Sequence, residues 1–420
     1  MSNSLTEDTK AIILLCGVFG KAHSEKPLSL REYTSLVRWL VKVDLRPKDL
    51  LHKDNVREAS IGANIDHQRL ASLLGRGVQL GFAVEEWQQA GIWIISRSDS
   101  DYPKRYKKHL KDKSPPLLFG IGNRSLLNGG GLSIVGSRNV DKVGESFTKH
   151  VAQMCADNQL PVISGGARGV DQTSMNAVLE AGGKSVGVLA DSLLKKSLER
   201  STRHAISDER LLLISPYNPS AGFNVGNAMG RNKLIYALSD YGLVVSTDHH
   251  KGGTWAGAEE ELKRENALPI FVRLGDNVPL GNTKLIEIGA ISWPSYIESN
   301  NFRQKLNASI SEYEEKPLQK NLSLFEDTID VESPFSADEV TEVKKLIVDK
   351  KSDKPYQSTS IYELVMPVIL NELETPLTSI QLAEVLDVNT TQLNIWLKQA
   401  VEDKKVVKLF KPVRYQKARL

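Results

Sequence analysis

The chain is poor in the features that most often announce a function. Its 420 residues include two cysteines, Cys16 and Cys155, far apart and each in an apolar stretch of helical character. That usage argues against a disulfide or a catalytic thiol and for two buried free thiols in a reducing compartment. No apolar run is long enough to span a bilayer, and no charged-then-apolar signal peptide opens the chain, so a cytoplasmic protein without a membrane partner is expected. The net charge is only +3. The molecule as a whole is not a polycation, and any surface for nucleic acid must be local. The eight histidines are scattered, and the pair His249-His250 has no third ligand nearby in sequence, so no metal is expected. A Walker lysine–serine pattern and a nucleophile elbow are both missing. No catalytic residue and no cofactor are expected.

What is present is enough apolar residue, 40% of the chain, to build a core, and a length that allows two or three domains. The stretch Leu132–Asp191 organises the reading. Three short apolar runs, Leu132–Val135, Leu160–Ile163 and Ser185–Leu189, alternate with two segments of helical period. That alternation predicts a parallel α/β sheet. Glycine-rich turns follow the first two runs: Gly136-Ser137-Arg138, and Ser164-Gly165-Gly166-Ala167-Arg168-Gly169-Val170-Asp171. A helix that starts just past a strand offers unpaired backbone N–H groups and a positive dipole end. Glycine lets a phosphate approach that backbone, and each turn adds an arginine that can fork onto phosphate oxygens. Two such turns at one sheet edge point to a nucleotide or a nucleic-acid backbone.

The same residues carry a resemblance. GSR, then SGGARGVD, then AVL-x-x-GG-K-S-V-G-V-L is similar to the DprA/Smf family of bacterial DNA-processing proteins. Further matches keep order and spacing: Gly230-Arg231-Asn232-Lys233 through Asp240, Gly252-Gly253-Thr254-Trp255 with Glu259, and Leu285 through Ala290. Upstream, Asp101-Tyr102-Pro103 and Pro115 through Asn123 resemble the family's entry segment. The resemblance covers roughly residues 95–295. It implies a Rossmann-like, mainly parallel sheet at 96–295, a small helical domain of the sterile-alpha-motif or helix-hairpin-helix kind at 1–95, and single-stranded DNA as partner. A RecA-type recombinase and a second copy of the chain are further implied partners. Three departures from the family pattern stand out: Lys233 for its second arginine, Gly226-Asn227-Ala228-Met229 where a Phe-Pro pair is usual, and a divergent charged segment, Leu193–Arg210.

The flanks read as follows. In 1–95, Ser29 caps a helix over Leu30–Val43, Asp66–Leu74 and Val84–Ala90 are short helices, and Gly75, Gly77, Gly81 and Gly91 are stops. Gly75-Arg76-Gly77 is either a helix C-cap or a hairpin on DNA phosphate, with the cap favoured. Residues 193–210 read as one charged helix with a solvated face; Lys195, Lys196, Arg200 and Arg203 are minor phosphate candidates. Residues 296–357 form an acidic linker. Within it Asn321–Phe325 resembles the peptide by which many bacterial proteins dock on the replication sliding clamp. Residues 358–420 read as a winged helix with a basic wing, its core drawn around Leu364, Val368, Leu382, Val385, Leu393, Trp396 and Leu397.

The residues expected to meet DNA or phosphate are Gly136, Ser137, Arg138, Ser164, Gly165, Gly166, Arg168, Gly169, Asp171, Arg231, Asn232, Lys233, Gly252, Gly253 and Thr254, with Lys408, Lys411 and Arg414 as a second set. Three functions compete. One is a single-stranded DNA binder that assists recombination by loading a RecA-type protein. Another is a nucleotide or DNA sensor that controls a partner protein through its flanking domains. The last is an enzyme: the SGG turn with GGT and a later glutamate also resembles the cytokinin-activating phosphoribohydrolases, which would make Arg138 and Glu259 or Glu260 the reacting groups. A binding protein rather than an enzyme is preferred, because the Gly-Thr order differs from that family and Trp255 is foreign to it.

Overall fold

The computed structural model describes residues 5–19, 25–275, 277–295, 301–315, 361–386, 390–409 and 413–418. They belong to two compact units, Met1–Ser323 and Leu324–Leu420. Among the described residues no helix is long and apolar enough to cross a membrane.

The first unit opens with helices α1 (Glu7–Cys16), α2 (Leu30–Lys42), α3 (Lys53–Ala63), α4 (His67–Leu74) and α5 (Gly77–Gln89). Their starts follow from side-chain caps: Thr6 on α1, Ser29 in a reciprocal capping box with Glu32 on α2, and Asp66 on α4. Gly75 ends α4 as expected, but Gly77 and Gly81 are not stops. Both lie inside α5, where a side chain at either would meet nothing; a helix tolerates such glycines at a modest cost in propensity. Arg76 turns inward. It donates to the carbonyls of Leu14 and Gly17 and lies over the Phe19 ring at 4.3 Å, so it satisfies the end of α1. The bland reading of Gly75-Arg76-Gly77 therefore holds.

Glu32 accepts from Arg69 at 2.6 Å, and that bond, with the Ser29 N–H and hydroxyl, holds its carboxyl down at about 2. A carboxyl whose folded value is depressed supports the fold above its ordinary pKa and loses that support as pH falls towards 2. The helical module should therefore soften in acid below about pH 4.5. Glu32→Gln is expected to flatten that acid-side loss in a series of thermal melts, while leaving stability near pH 7 lower than that of the parent.

The sheet orders its strands β1 (Trp93–Ser96), β2 (Leu117–Gly122), β3 (Leu132–Gly136), β4 (Val162–Ser164), β5 (Ser185–Val188), β6 (Leu211–Ser215), β7 (Tyr241–Ser246), β8 (Ile270–Val272) and β9 (Ile291–Ser292) as β1-β2-β6-β5-β4-β3-β7-β8-β9. From β6 across to β9 all pairings are parallel; β2 runs antiparallel to β6, and β1 antiparallel to β2. This is the mainly parallel α/β sheet expected. The central strands read as unbroken apolar runs because helices cover both faces. On those faces lie α6 (Lys104–Leu110), α7 (Lys142–Asp157), α8 (Val170–Glu180), α9 (Leu193–Ser197), α10 (Arg200–Ser207), α11 (Val225–Leu238), α12 (Gly252–Leu262), α13 (Leu280–Glu287) and α14 (Phe302–Glu315). At the antiparallel end the helical module supplies the cover. Trp87 of α5 meets Phe119 of β2 edge-on at 5.0 Å, and the module's core is continuous with Ile94, Ile121 and Leu213.

Two expectations change here. The segment 193–210 is not one charged helix. It breaks at Leu198-Glu199 into α9 and α10, and Leu193 and Ala205 are buried, so it has an apolar inner face. Apolar runs at Ile92–Ile95, Leu211–Ser215, Leu243–Ser246 and Pro269–Val272 also read as strands and match β1, β6, β7 and β8, whereas β2 and β9 have no such signal. Glycines at 120 and 122 thin the strand signal of β2, and β9 is only two residues long.

The second unit has α15 (Ile361–Glu372), α16 (Ser379–Val385) and α17 (Thr390–Glu402), then the antiparallel pair β10 (Val406–Leu409) and β11 (Arg414–Lys417). Leu382, Leu393 and Leu397 are fully buried and Trp396 packs beside them, but Val368 and Val385, expected in this core, are exposed. Each sits on the outer face of its helix, turned away from the buried stripe of Met366, Ile369 and Leu373 or of Leu382 and Ala383. The side chain of Leu364, all of Lys411, and the peptide Asn321–Phe325 lie outside the described residues.

Candidate nucleic-acid interface

The order of the strands makes the site. The chain leaves β3 towards β4, β5 and β6 on one side, then returns to β7 on the other side of β3. The turns after β3 and β7 thus diverge, and a crevice opens between them at the carboxyl ends of the strands, the usual ligand position in such sheets. The turns are tied to one another. Ser137 N–H donates to the Ser246 carbonyl at 2.8 Å, Val170 N–H to the Ser137 carbonyl at 3.3 Å, and the Thr254 hydroxyl to the Gly136 carbonyl at 3.2 Å. Gly169 permits this closeness. Its φ is +89°, and a Cβ there would lie 2.3 Å from the Ser137 carbonyl oxygen.

The crevice is a cavity of about 400 Å³. It brings together Gly136, Ser137, Arg138, Asp171, Arg231, Asn232, Gly252, Gly253 and Thr254 from the expected set. A second cavity of about 320 Å³ adds Gly165, Gly166 and Arg168, and both Arg138 and Arg231 line the two. Helix α12 begins at Gly252 with Lys251 before it and no side-chain cap. Its first-turn N–H groups are thus left for an anion. Lys251 joins the same wall, and Arg138 is exposed with its guanidinium over the Phe223 ring at 5.1 Å. Arg168 donates to the Asn139 side chain, which bridges the turns after β3 and β4.

Not every expected residue faces a ligand. Ser164 is fully buried, and its hydroxyl donates to the Ile134 carbonyl at 2.6 Å; it fastens β4 to β3. Lys233 lines neither cavity: the helical turn of α11 puts it on a different face from Arg231 and Asn232. Asn232 is held by donating to the Gly253 carbonyl at 2.6 Å. Arg231 is no open phosphate fork. It is 5% exposed and pairs with the equally buried Asp171 at 3.4 Å. Burial pushes the Asp171 carboxyl above its ordinary value, against the opposing pull of Arg231 and the backbone N–H groups of Gly136 and Gly165. Asp171 is therefore an internal counter-ion, and the Arg231 Nε, buried beside it, has no hydrogen-bond partner.

Sequence reasoning did not single out Lys251, Phe223 or Tyr236, which also line the crevice. Lys251 has a readable signal, a lysine just before a glycine pair that starts a helix. Phe223 is a large aromatic left 57% exposed in a polar loop. Tyr236 gives no signal, since its place under the crevice comes from the packing of α11; its hydroxyl is buried and unpartnered.

The groups needed by the phosphoribohydrolase reading are engaged elsewhere. Glu259 accepts from Trp255 Nε1 at 3.1 Å and from Lys263 at 2.7 Å, and Lys263 draws its carboxyl below the ordinary value. Glu260 pairs with Arg264, and neither glutamate lines the crevice. The rings of His249 and His250 lie tilted to each other at 3.9 Å, and both meet Trp255 edge-on. Among the described residues no cluster of three possible ligands gathers for a metal.

Comparisons with known proteins place these features. Residues 93–300 match the family model of DNA recombination-mediator protein A. The DNA processing protein DprA of Bacillus subtilis (strain 168) is 28% identical over 210 residues, 49% of this chain and 69% of that protein. DprA of Streptococcus pneumoniae (strain ATCC BAA-255 / R6) is 30% identical over 183 residues, 42% of this chain and 63% of that protein. Protein Smf of Escherichia coli (strain K12) is 30% identical over 181 residues, 42% of this chain and 48% of that protein. The chain thus spans between about half and just over two thirds of the length of these relatives. The X-ray structure of Streptococcus pneumoniae DprA covers 69% of this chain and 95% of its own at a TM-score of 0.55 and 21% identity. At that identity the likeness is one of fold.

Proposed function

Because residues 93–300 make this chain a member of the DprA/Smf family of DNA-processing proteins, we propose that it binds single-stranded DNA through its phosphates, without sequence preference and without chemistry of its own. One observation carries the reading. The switch-point crevice joins an uncapped helix start at Gly252 to Arg138 and Lys251, the adjoining cavity adds Arg168, and of the two acids on the crevice the buried Asp171 is paired with Arg231 while Asp248 is exposed. Such a site attracts the negative backbone shared by all strands and offers little to a particular base edge. Assistance to a RecA-type recombinase extends the reading; the family's description as a recombination mediator supports it. The second unit fits a winged helix that contributes Lys408 and Arg414, both exposed on its strand pair, as an accessory contact.

The test is a salt titration of oligonucleotide binding by the full chain. Affinity should fall linearly on a log–log plot, with a slope of about 0.7 for each phosphate contact in a single strand. Arg138→Ala is expected to weaken binding about tenfold and to lower the slope by roughly one contact. An affinity that ignores salt, or that Arg138→Ala leaves intact, would overturn the reading. So would release of free base from nucleoside monophosphates that vanishes in Glu259→Ala.

A further inference from the structure

The two cavities of the interface do not end the track. A third, of about 540 Å³, shares Gly166, Leu189 and Lys196 with the second, so the two adjoin, and its far side is lined by the helices α9 and α10. The third cavity differs in chemistry from the other two. Its floor is apolar: Met175, Leu189, Ala205 and Leu213 are all less than a tenth exposed. Its cations are already satisfied. Lys196 pairs with Glu199 at 3.0 Å, and Arg210 donates to the Leu179 carbonyl and to Asp208. A further phosphate would meet the carboxylates of Glu180 and Glu199 on this lining and, among the described residues, no lysine or arginine without a partner. On the rim, Gln172 and Asn176 stand one turn apart on α8, both exposed, and present amides that can donate and accept.

We propose that this third cavity receives an unstacked nucleobase of the same strand whose phosphates lie along Arg138 and Arg168. The inference rests on the binding reading above and adds a base pocket to it. An apolar floor takes the face of any base, and the Gln172 and Asn176 amides meet its polar edge. Continuity selects the occupant, because a strand held in the first two cavities is delivered to the mouth of the third at Gly166 and Lys196. The outer wall is α9–α10, which contributes Lys196, Thr202 and Ala205.

Binding of oligo(dT) and of an abasic strand of equal length, both to the full chain, separates the two claims. The parent should prefer oligo(dT) about tenfold or more. Gln172→Ala with Asn176→Ala changes only exposed side chains, and Ala205→Phe fills the cavity. Each is expected to remove most of that preference while binding of the abasic strand stays as in the parent. Arg138→Ala should weaken both strands alike. If Arg138→Ala weakens both but the pocket variants keep the full preference for oligo(dT), the cavity belongs to another occupant and the base pocket is overturned alone. If Arg138→Ala affects neither strand, the phosphate reading itself has failed. Unchanged melting of the Gln172→Ala/Asn176→Ala variant guards against loss of fold.

Discussion

Arg231→Met is expected to lower the unfolding free energy of the Met1–Ser323 unit by about 3–5 kcal/mol in a urea titration, the usual cost of stranding one member of a buried ion pair. Both partners are less than a tenth exposed, and among the described residues Arg231 is the one cation that acts on Asp171. The same substitution paired with Asp171→Leu should recover much of the loss, because two apolar side chains strand nothing. Acidity gives a second readout. The folded Asp171 value lies above its ordinary one, so ionising it costs the fold, and stability declines as pH rises from the ordinary aspartate range through the raised value. Asp171→Asn should abolish that slope. A single Arg231→Met variant as stable as the parent would show the pair to be dispensable.

Gly165→Ala is expected to be as damaging to binding as loss of an arginine, by more than tenfold, although alanine adds one methyl group. A Cβ at 165 would fall 1.1 Å from Arg231 Nη1, and Arg231 cannot withdraw without leaving Asp171. The turn after β4 must then shift, carrying with it the backbone that lines the second cavity. Overpacking of this kind also destabilises by about 1–3 kcal/mol. Gly222→Ala is the matched control. It lies near the same crevice, nothing stands within 4 Å of its Cβ, and it should bind and melt as the parent does. Gly165→Ala binding at parental strength would mean that the turn is softer than its packing implies.

These two residues also mark where the sequence was readable and where it was not. Glycine-rich turns after apolar runs announce themselves locally, so Gly136, Arg138, Gly165, Arg168 and Gly252 could be assigned to one sheet edge before any coordinates. The direction in which a side chain points is not local. Arg231 belongs to α11, and only the packing of that helix beside α12 and over β4 and β5 turns its guanidinium inward to Asp171. Ser164 looked like a phosphate donor because of its neighbours, yet its place at the end of a buried strand commits its hydroxyl to Ile134. Charge alone suggested a solvated helix at 193–210. The apolar positions Leu193 and Ala205 fall on opposite sides of a break, which hides their common inner face. The third cavity was illegible for the same reason, since its floor collects side chains from α8, α10 and β6, whose common facing comes from the fold.

The sheet also governs how copies of this molecule can meet. Its terminal strands are β1, of four residues, and β9, of two. A row of open N–H and C=O groups that short cannot template a foreign strand. Ser96, the last residue of β1, is fully buried, and its backbone N–H and hydroxyl are taken up by Asp99 and Thr9. Both edges are thus blunted against lateral pairing, the one at β1 also by its side-chain bonds. Sheet fusing with sheet is a poor route for copies of this unit to meet, which leaves helices and side chains as the surfaces for contact.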